Sequence, residues 1–211
     1  MENQQRHKRL RLLTKKLNKE RKKQAKKIDI LCNDLIAAQR DFIKRLNTIT
    51  FTANFYETII GTTDLSNLIL AAAHRIKDEL SDANIAFFMR SADNFELHMF
   101  ETDHPAASQK QQLESCFTPE LVENICKSNK ICTLNDMLSM GLAGNPACIN
   151  KLSAVTIPLA HLGPSLGFIL IYRSSKNNLN LEELNNISAI TSGLSRAIAS
   201  HQAPLRSHSA D

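Results

Sequence analysis

No glycine precedes Gly61 and no proline precedes Pro105 in this chain of 211 residues. Interior Gly and Pro cost a helix about 1 and about 3 kcal/mol, so the first sixty residues carry neither of the strong breakers. From Leu10 to about Ile60 the chain is rich in Lys, Arg, Gln, Leu and Ala, and its apolar residues recur at heptad spacing. The pattern predicts one helix of about 55 residues, about 80 Å long. With position a at Ile28, Leu35, Phe42 and Ile49, position d falls on Leu10, Leu17, Leu31 and Ala38, a seam by which two helices zip together. The same register places Thr14, Arg21 and Gln24 on the seam further toward the N-terminus, and Arg45 interrupts it once. A helix so long outreaches the surface of a small domain, so the expectation is a parallel homodimeric coiled coil over residues 10–60. Ile28, Leu31, Leu35 and Phe42 are its expected interface.

Charge divides the chain. Residues 1–27 carry twelve Lys or Arg against Glu2 and Glu20, a balance of +10, while the whole chain is +5, so the remaining 184 residues are at −5. Lys15, Lys16, Lys19, Lys22 and Lys23 form the densest part of this basic segment, a candidate surface for nucleic acid or another polyanion. It holds no aromatic residue for stacking and no groove-reading motif. Solvated helix surface is the competing reading. Five cysteines without a C-x-x-C pair argue against a disulfide framework and against a Cys-based zinc site. No apolar run approaches the length of a membrane span, no apolar segment follows the basic start, and the first serine is Ser66. A soluble, cytoplasmic protein is the expectation.

After Gly61 the periodicity changes. Asp64 can open a helix whose Leu65, Leu68, Ile69, Ala72, Ile76 and Leu80 share one face. Asn84 to Arg90 and Phe95 to Glu101 read as a hairpin around Ser91–Asn94. Thr118, Pro119 and Glu120 supply an N-cap, a first-turn proline and a first-turn acid for a helix to about Lys127. A short strand near Ile131 to Leu134 follows, and then Met137 to Asn150, which shows no clear period. The densest apolar runs are Leu152 to Leu159 and Leu166 to Tyr172, joined by a turn at 161–164. Asn180 and Glu183 have capping-box spacing, ahead of a stripe of Leu184, Ile187, Ile190, Leu194 and Ile198. Residues 202–211 are expected to be disordered. Helices segregated from strands in this order imply an α+β domain with an antiparallel sheet.

Residues 63–200 resemble the GAF family of small-molecule sensor domains. The carriers are the opening amphipathic helix, the strand Ala83 to Met89, Leu134-Asn135-Asp136, and above all Ser153 to Leu159, Gly163, and Leu166 to Leu170, which look like the family's closing hairpin. The resemblance implies a GAF-like antiparallel sheet flanked by helices and preceded by the long coiled-coil helix. It further implies a dimeric, non-enzymatic regulatory protein that binds a small ligand and signals through its coil or a protein partner. Phe88, Phe100, Met137, Met140 and Ile157 are the candidate ligand-lining residues, since such sites are mostly apolar.

Neither ligand nor cofactor is named by the sequence. The signature of cyclic-nucleotide binders is only loosely echoed at Asn177 to Glu183, and a bilin-attaching Cys-His pair is absent. His74, His98, His104 and His161 read as surface or packing residues rather than haem ligands. One enzymatic branch of the family, the free methionine sulfoxide reductases, has cysteines spaced much like Cys116, Cys126 and Cys148. Its supporting acids are missing, for this chain has Ala154 after Ser153, and Ile171 and Tyr172 in the last strand. Reductase-like redox chemistry at Cys148, and a coiled-coil adaptor with a vestigial pocket and an anion-binding basic tail, are the alternative readings.

Overall fold

The computed structural model describes residues 2–91, 94–100, 116–144, 151–160 and 165–207. Helix α1, Glu2–Ile59, is unbroken over 58 residues and begins eight residues before the expected start, since nothing between Glu2 and Leu10 disfavours a helix. Thr62 closes it, with its hydroxyl and its N–H both donating to the Ile59 carbonyl. The chain divides into two compact units, Met1–Ile49 and Thr50–Asp211. The first consists of α1 alone. The second therefore starts well before the expected boundary at residue 63, because Phe51, Phe55 and Ile59 are buried in the core of the folded domain.

In the second unit α2, Leu65–Glu79, is capped by the Asp64 carboxylate, which accepts from the Asn67 N–H at 2.8 Å. Strands β1, Asn84–Ser91, and β2, Asn94–Phe100, pair antiparallel as the hairpin pattern predicts. Helix α3, Pro119–Ser128, is capped by Thr118 and stops at Asn129, which takes a left-handed conformation. Strand β3, Cys132–Thr133, leads directly into α4, Leu134–Ser139, where Thr133 and Asp136 form a reciprocal capping box. Strands β4, Leu152–Ala160, and β5, Ser165–Ser174, occupy the interior of the sheet, and α5, Leu181–Ser207, closes the domain. The sequence predicts disorder over residues 202–211, whereas the helix runs on through Ser207 with Pro204 inside it; residues 208–211 lie outside the described residues.

The five strands are ordered β2-β1-β5-β4-β3, every neighbouring pair antiparallel. Successive side chains on a strand point to opposite faces, and here both faces are covered. On one face Ile85, Phe87, Met89, Ile157, Ile169 and Ile171 meet α2, α5 and the buried end of α1. On the other, Ala86, Phe88, Ala154, Phe168 and Leu170 meet α3 and α4. Gly167 is required where β5 lies between β1 and β4: its φ is +134° and a Cβ there would sit 1.8 Å from the Phe88 carbonyl oxygen.

Candidate functional site

The face under α3 and α4 gathers the side chains best suited to recognise a small molecule. At its centre Phe88 stacks on Phe168 with ring centroids 4.7 Å apart, and Phe117 closes on Phe88 at 4.8 Å. Met137, placed by the capping box that starts α4, is fully buried against this cluster, and Met140, at the end of the same short helix, is half-buried beside it. Thr156 is the exception in this apolar lining. Its side chain is fully buried, and its hydroxyl has no hydrogen-bond partner among the described residues. A Thr on a strand can normally satisfy its hydroxyl against water, whereas a buried polar group left unpaired costs about 1–3 kcal/mol.

The antiparallel register sets which residues neighbour Thr156 on its face. Thr156 is opposite Cys132 on β3 and opposite Leu170 on β5, so Tyr172 is its diagonal neighbour on the same face. Burial pushes the Tyr172 hydroxyl above its usual pKa, keeping it a neutral donor. Burial likewise pushes the Cys126 thiol up, against the opposing influence of the Ser165 hydroxyl. A buried, protonated thiol is a poor nucleophile. Cys132 is also buried, and its thiol lies 3.4 Å from the Ser128 hydroxyl. Among the described residues no group of His, Cys, Asp and Glu is arranged to hold a metal ion.

The five expected lining residues do not all converge. Phe88, Met137 and Met140 share the α3–α4 face, but Ile157 is buried on the opposite face with α2 and α5. That part of the expectation is corrected: Ile157 is one residue out of phase with Thr156, and a shift of one along a strand changes faces. Phe100 ends β2 with its side chain outside the described residues, as are Cys148, His104 and His161. Thr156, Tyr172 and Phe168 were not expected as site residues.

A concavity of about 740 Å³ lies in the same unit on the other side of the sheet, between the end of α1 and residues 192–201 of α5. Tyr56, Ile59, Ser192, Arg196 and His201 line it. Gly193 forms part of its wall, where a Cβ would fall 2.2 Å from the Tyr56 ring. The unprotected surface of α1 is elsewhere: Ile28, Leu31, Leu35 and Phe42 are each 59–69% exposed. Lys15, Lys16, Lys19, Lys22 and Lys23 are also exposed, and Lys23 pairs with Glu20 at 3.2 Å.

No family model and no curated protein sequence matches the chain. Solved structures do resemble it. The GAF domain of a phosphoenolpyruvate-protein phosphotransferase from Coxiella burnetii is similar over 76% of this chain and 98% of its own, with a TM-score of 0.57 and 14% identity. The fold is GAF-like. The GAF domain of the cyanobacteriochrome TePixJ superposes with a TM-score of 0.53 at 13% identity, over 67% of this chain and 93% of that domain. fRMsr of Staphylococcus aureus, solved in complex with substrate, superposes with a TM-score of 0.50 at 10% identity over 72% of this chain and 95% of its own. The GAF-like architecture thus accommodates sensor domains and an enzyme alike, and identities of 10–14% speak for the fold alone. Among the described residues no helix is long and apolar enough to cross a membrane.

Proposed function

We propose that this is a non-enzymatic, cytoplasmic sensory protein that binds a small, mostly apolar ligand on the α3–α4 face and reports its occupancy through self-association of α1 or through a protein partner. The buried, unpartnered hydroxyl of Thr156 carries this reading. An orphaned polar group in an aromatic and Met-rich surrounding is a cost to the fold, one that a ligand accepting or donating a single hydrogen bond would remove. α1 supports the reporting half of the proposal, since its exposed seam at Ile28, Leu31, Leu35 and Phe42 is suited to another copy of itself. The parallel pair expected from the sequence is the smallest closed assembly.

The close stacking of Phe88, Phe117 and Phe168 favours a second reading, that of an adaptor whose vestigial pocket is filled by its own side chains and whose basic tail binds anions. One experiment separates the two. Native mass spectrometry of the purified full chain should reveal a retained small molecule in the sensor, and Thr156→Val should release it. In the adaptor no extra mass is retained, and Thr156→Val, which removes an unpaired hydroxyl at nearly constant volume, should raise stability by about 1 kcal/mol in urea melts. Retention unaffected by Thr156→Val would sink the assignment of the site.

A further inference from the structure

The concavity between the end of α1 and α5 is built differently from the α3–α4 face. Its volume of about 740 Å³ is that of a small-molecule site. One wall is a stripe of α5, on which Ser192 and Arg196 stand one turn apart and Gly193 leads, two turns on, to His201. The other wall is Tyr56 near the end of α1 and Ile60 just beyond it. Gly193 lets the walls meet, since a Cβ there would lie 2.2 Å from the Tyr56 ring and 2.4 Å from its hydroxyl. The apolar wall is bare: Ile60 is 82% exposed. The polar wall is unneutralised. No acid lines the concavity, and among the described residues neither the Arg196 guanidinium nor the Tyr56 hydroxyl has a hydrogen-bond or ion-pair partner. Arg173, by contrast, is held by Asp82 and Glu183. The free cation also runs against its setting, for residues 28–211 carry −5 in total.

We propose that this concavity binds an organic carboxylate with an apolar body, Arg196 taking the carboxylate while Tyr56 and Ile60 cover the body. The planar fork of Arg matches the two oxygens of a carboxylate, and an apolar lining with a few polar groups is the usual make-up of a ligand site. The same walls argue against other classes. A compact inorganic anion would leave Ile60 in water, a neutral apolar molecule would leave Arg196 unused, and an organic cation would meet a like charge. The site lies on the other side of the sheet from Thr156 and owes nothing to the α3–α4 reading.

Isothermal titration calorimetry of the full chain with 2-naphthoate at physiological ionic strength tests this, with 2-naphthylmethanol as the uncharged counterpart. Saturable binding of the carboxylate is expected, and both replacement by the alcohol and Arg196→Gln should weaken it by about tenfold or more. Arg196→Lys should recover part of that loss, since it restores the charge without the fork. Ile60→Ser, at an exposed position, should weaken binding severalfold with the fold intact by circular dichroism. Thr156→Val, and exchange of Lys15, Lys16, Lys19, Lys22 and Lys23 for Gln, should leave the affinity unchanged, which separates this site from the α3–α4 face and from the basic segment. No binding at about 1 mM naphthoate, as when a second copy of the chain covers the concavity, would overturn the proposal. Equal affinity for the alcohol, or binding indifferent to Arg196→Gln or to Ile60→Ser, would do the same, and so would a loss of binding in Thr156→Val or in the lysine variant.

Discussion

Arg173 shows how much of this fold hangs on single side chains. It ends β5 with its side chain only 4% exposed, and its guanidinium donates five hydrogen bonds, to Asp82, to both oxygens of Glu183, and to the carbonyls of Asn177 and Asn178, at 2.7–3.1 Å. The same Glu183 carboxylate accepts from the Asn180 N–H at the start of α5, so one acid both caps a helix and neutralises a buried cation. Removing one member of such a group strands the others, and Arg173→Met should cost about 3 kcal/mol of stability. Partial burial alone would raise the pKa of Asp82, but hydrogen bonds from Arg173 and Asn177 outweigh it and hold the carboxyl below its ordinary value of 3.8. A depressed carboxylate stabilises the folded state above its unfolded pKa, and that contribution is lost as pH falls through the lower folded value. Urea melts between about pH 5 and pH 2 should therefore show a loss of stability below pH 4, shallower in Arg173→Met. The capping role of Glu183 was legible in the sequence from its spacing to Asn180. Its partnership with Arg173 was not, because a lone Arg at the end of an apolar strand carries no periodic signal.

At the scale of elements, legibility tracked the strength of the period. The helix of α1 and the stripes of α2 and α5 were legible because breaker-free or periodic sequence runs over several turns, and β4 and β5 because their apolar runs are dense. Helix α4 was missed, although Thr133 and Asp136 have capping-box character, since six residues show too few turns for a hydrophobic period. The face of Ile157 was misread for a related reason. A sheet covered on both sides needs apolar residues at every position, and the alternation that would reveal the face of a residue disappears. Thr156, the one polar interruption in that run, is visible in the sequence, but its burial without a partner is a fact of packing. The seam of α1 makes the sharpest prediction at this scale. Leu31→Asp combined with Leu35→Asp places two carboxylates on the interface and should yield a 23.6 kDa monomer by light scattering, with the domain of residues 50–211 still folded by circular dichroism. Unchanged association would remove residues 28–49 from the interface.

For the molecule as a whole, charge and sheet thickness set the behaviour. The basic segment at +10 and the remainder at −5 predict polyanion binding that weakens steeply with salt. Replacing Lys15, Lys16, Lys19, Lys22 and Lys23 with Gln should reduce the slope of log affinity against log salt by up to about 4.5, measured by fluorescence anisotropy with duplex DNA. An unchanged slope would leave those lysines as solvated surface. The sheet, meanwhile, is one residue thick: Thr156 faces the candidate ligand site while Ile157, the next residue, packs under α2 and α5 in the same cluster as Phe51, Phe55 and Ile59 of α1. On the proposed reading, a ligand that repositions Thr156 would shift Ile157 as well, and any coupling between binding and assembly would be reciprocal. Whatever factor the ligand contributes to assembly, assembly returns to the ligand. The threshold at which such a sensor responds would then be fixed in part by how many copies of it a cell contains, so that changing expression alone would retune it without altering a single contact in the proposed binding site.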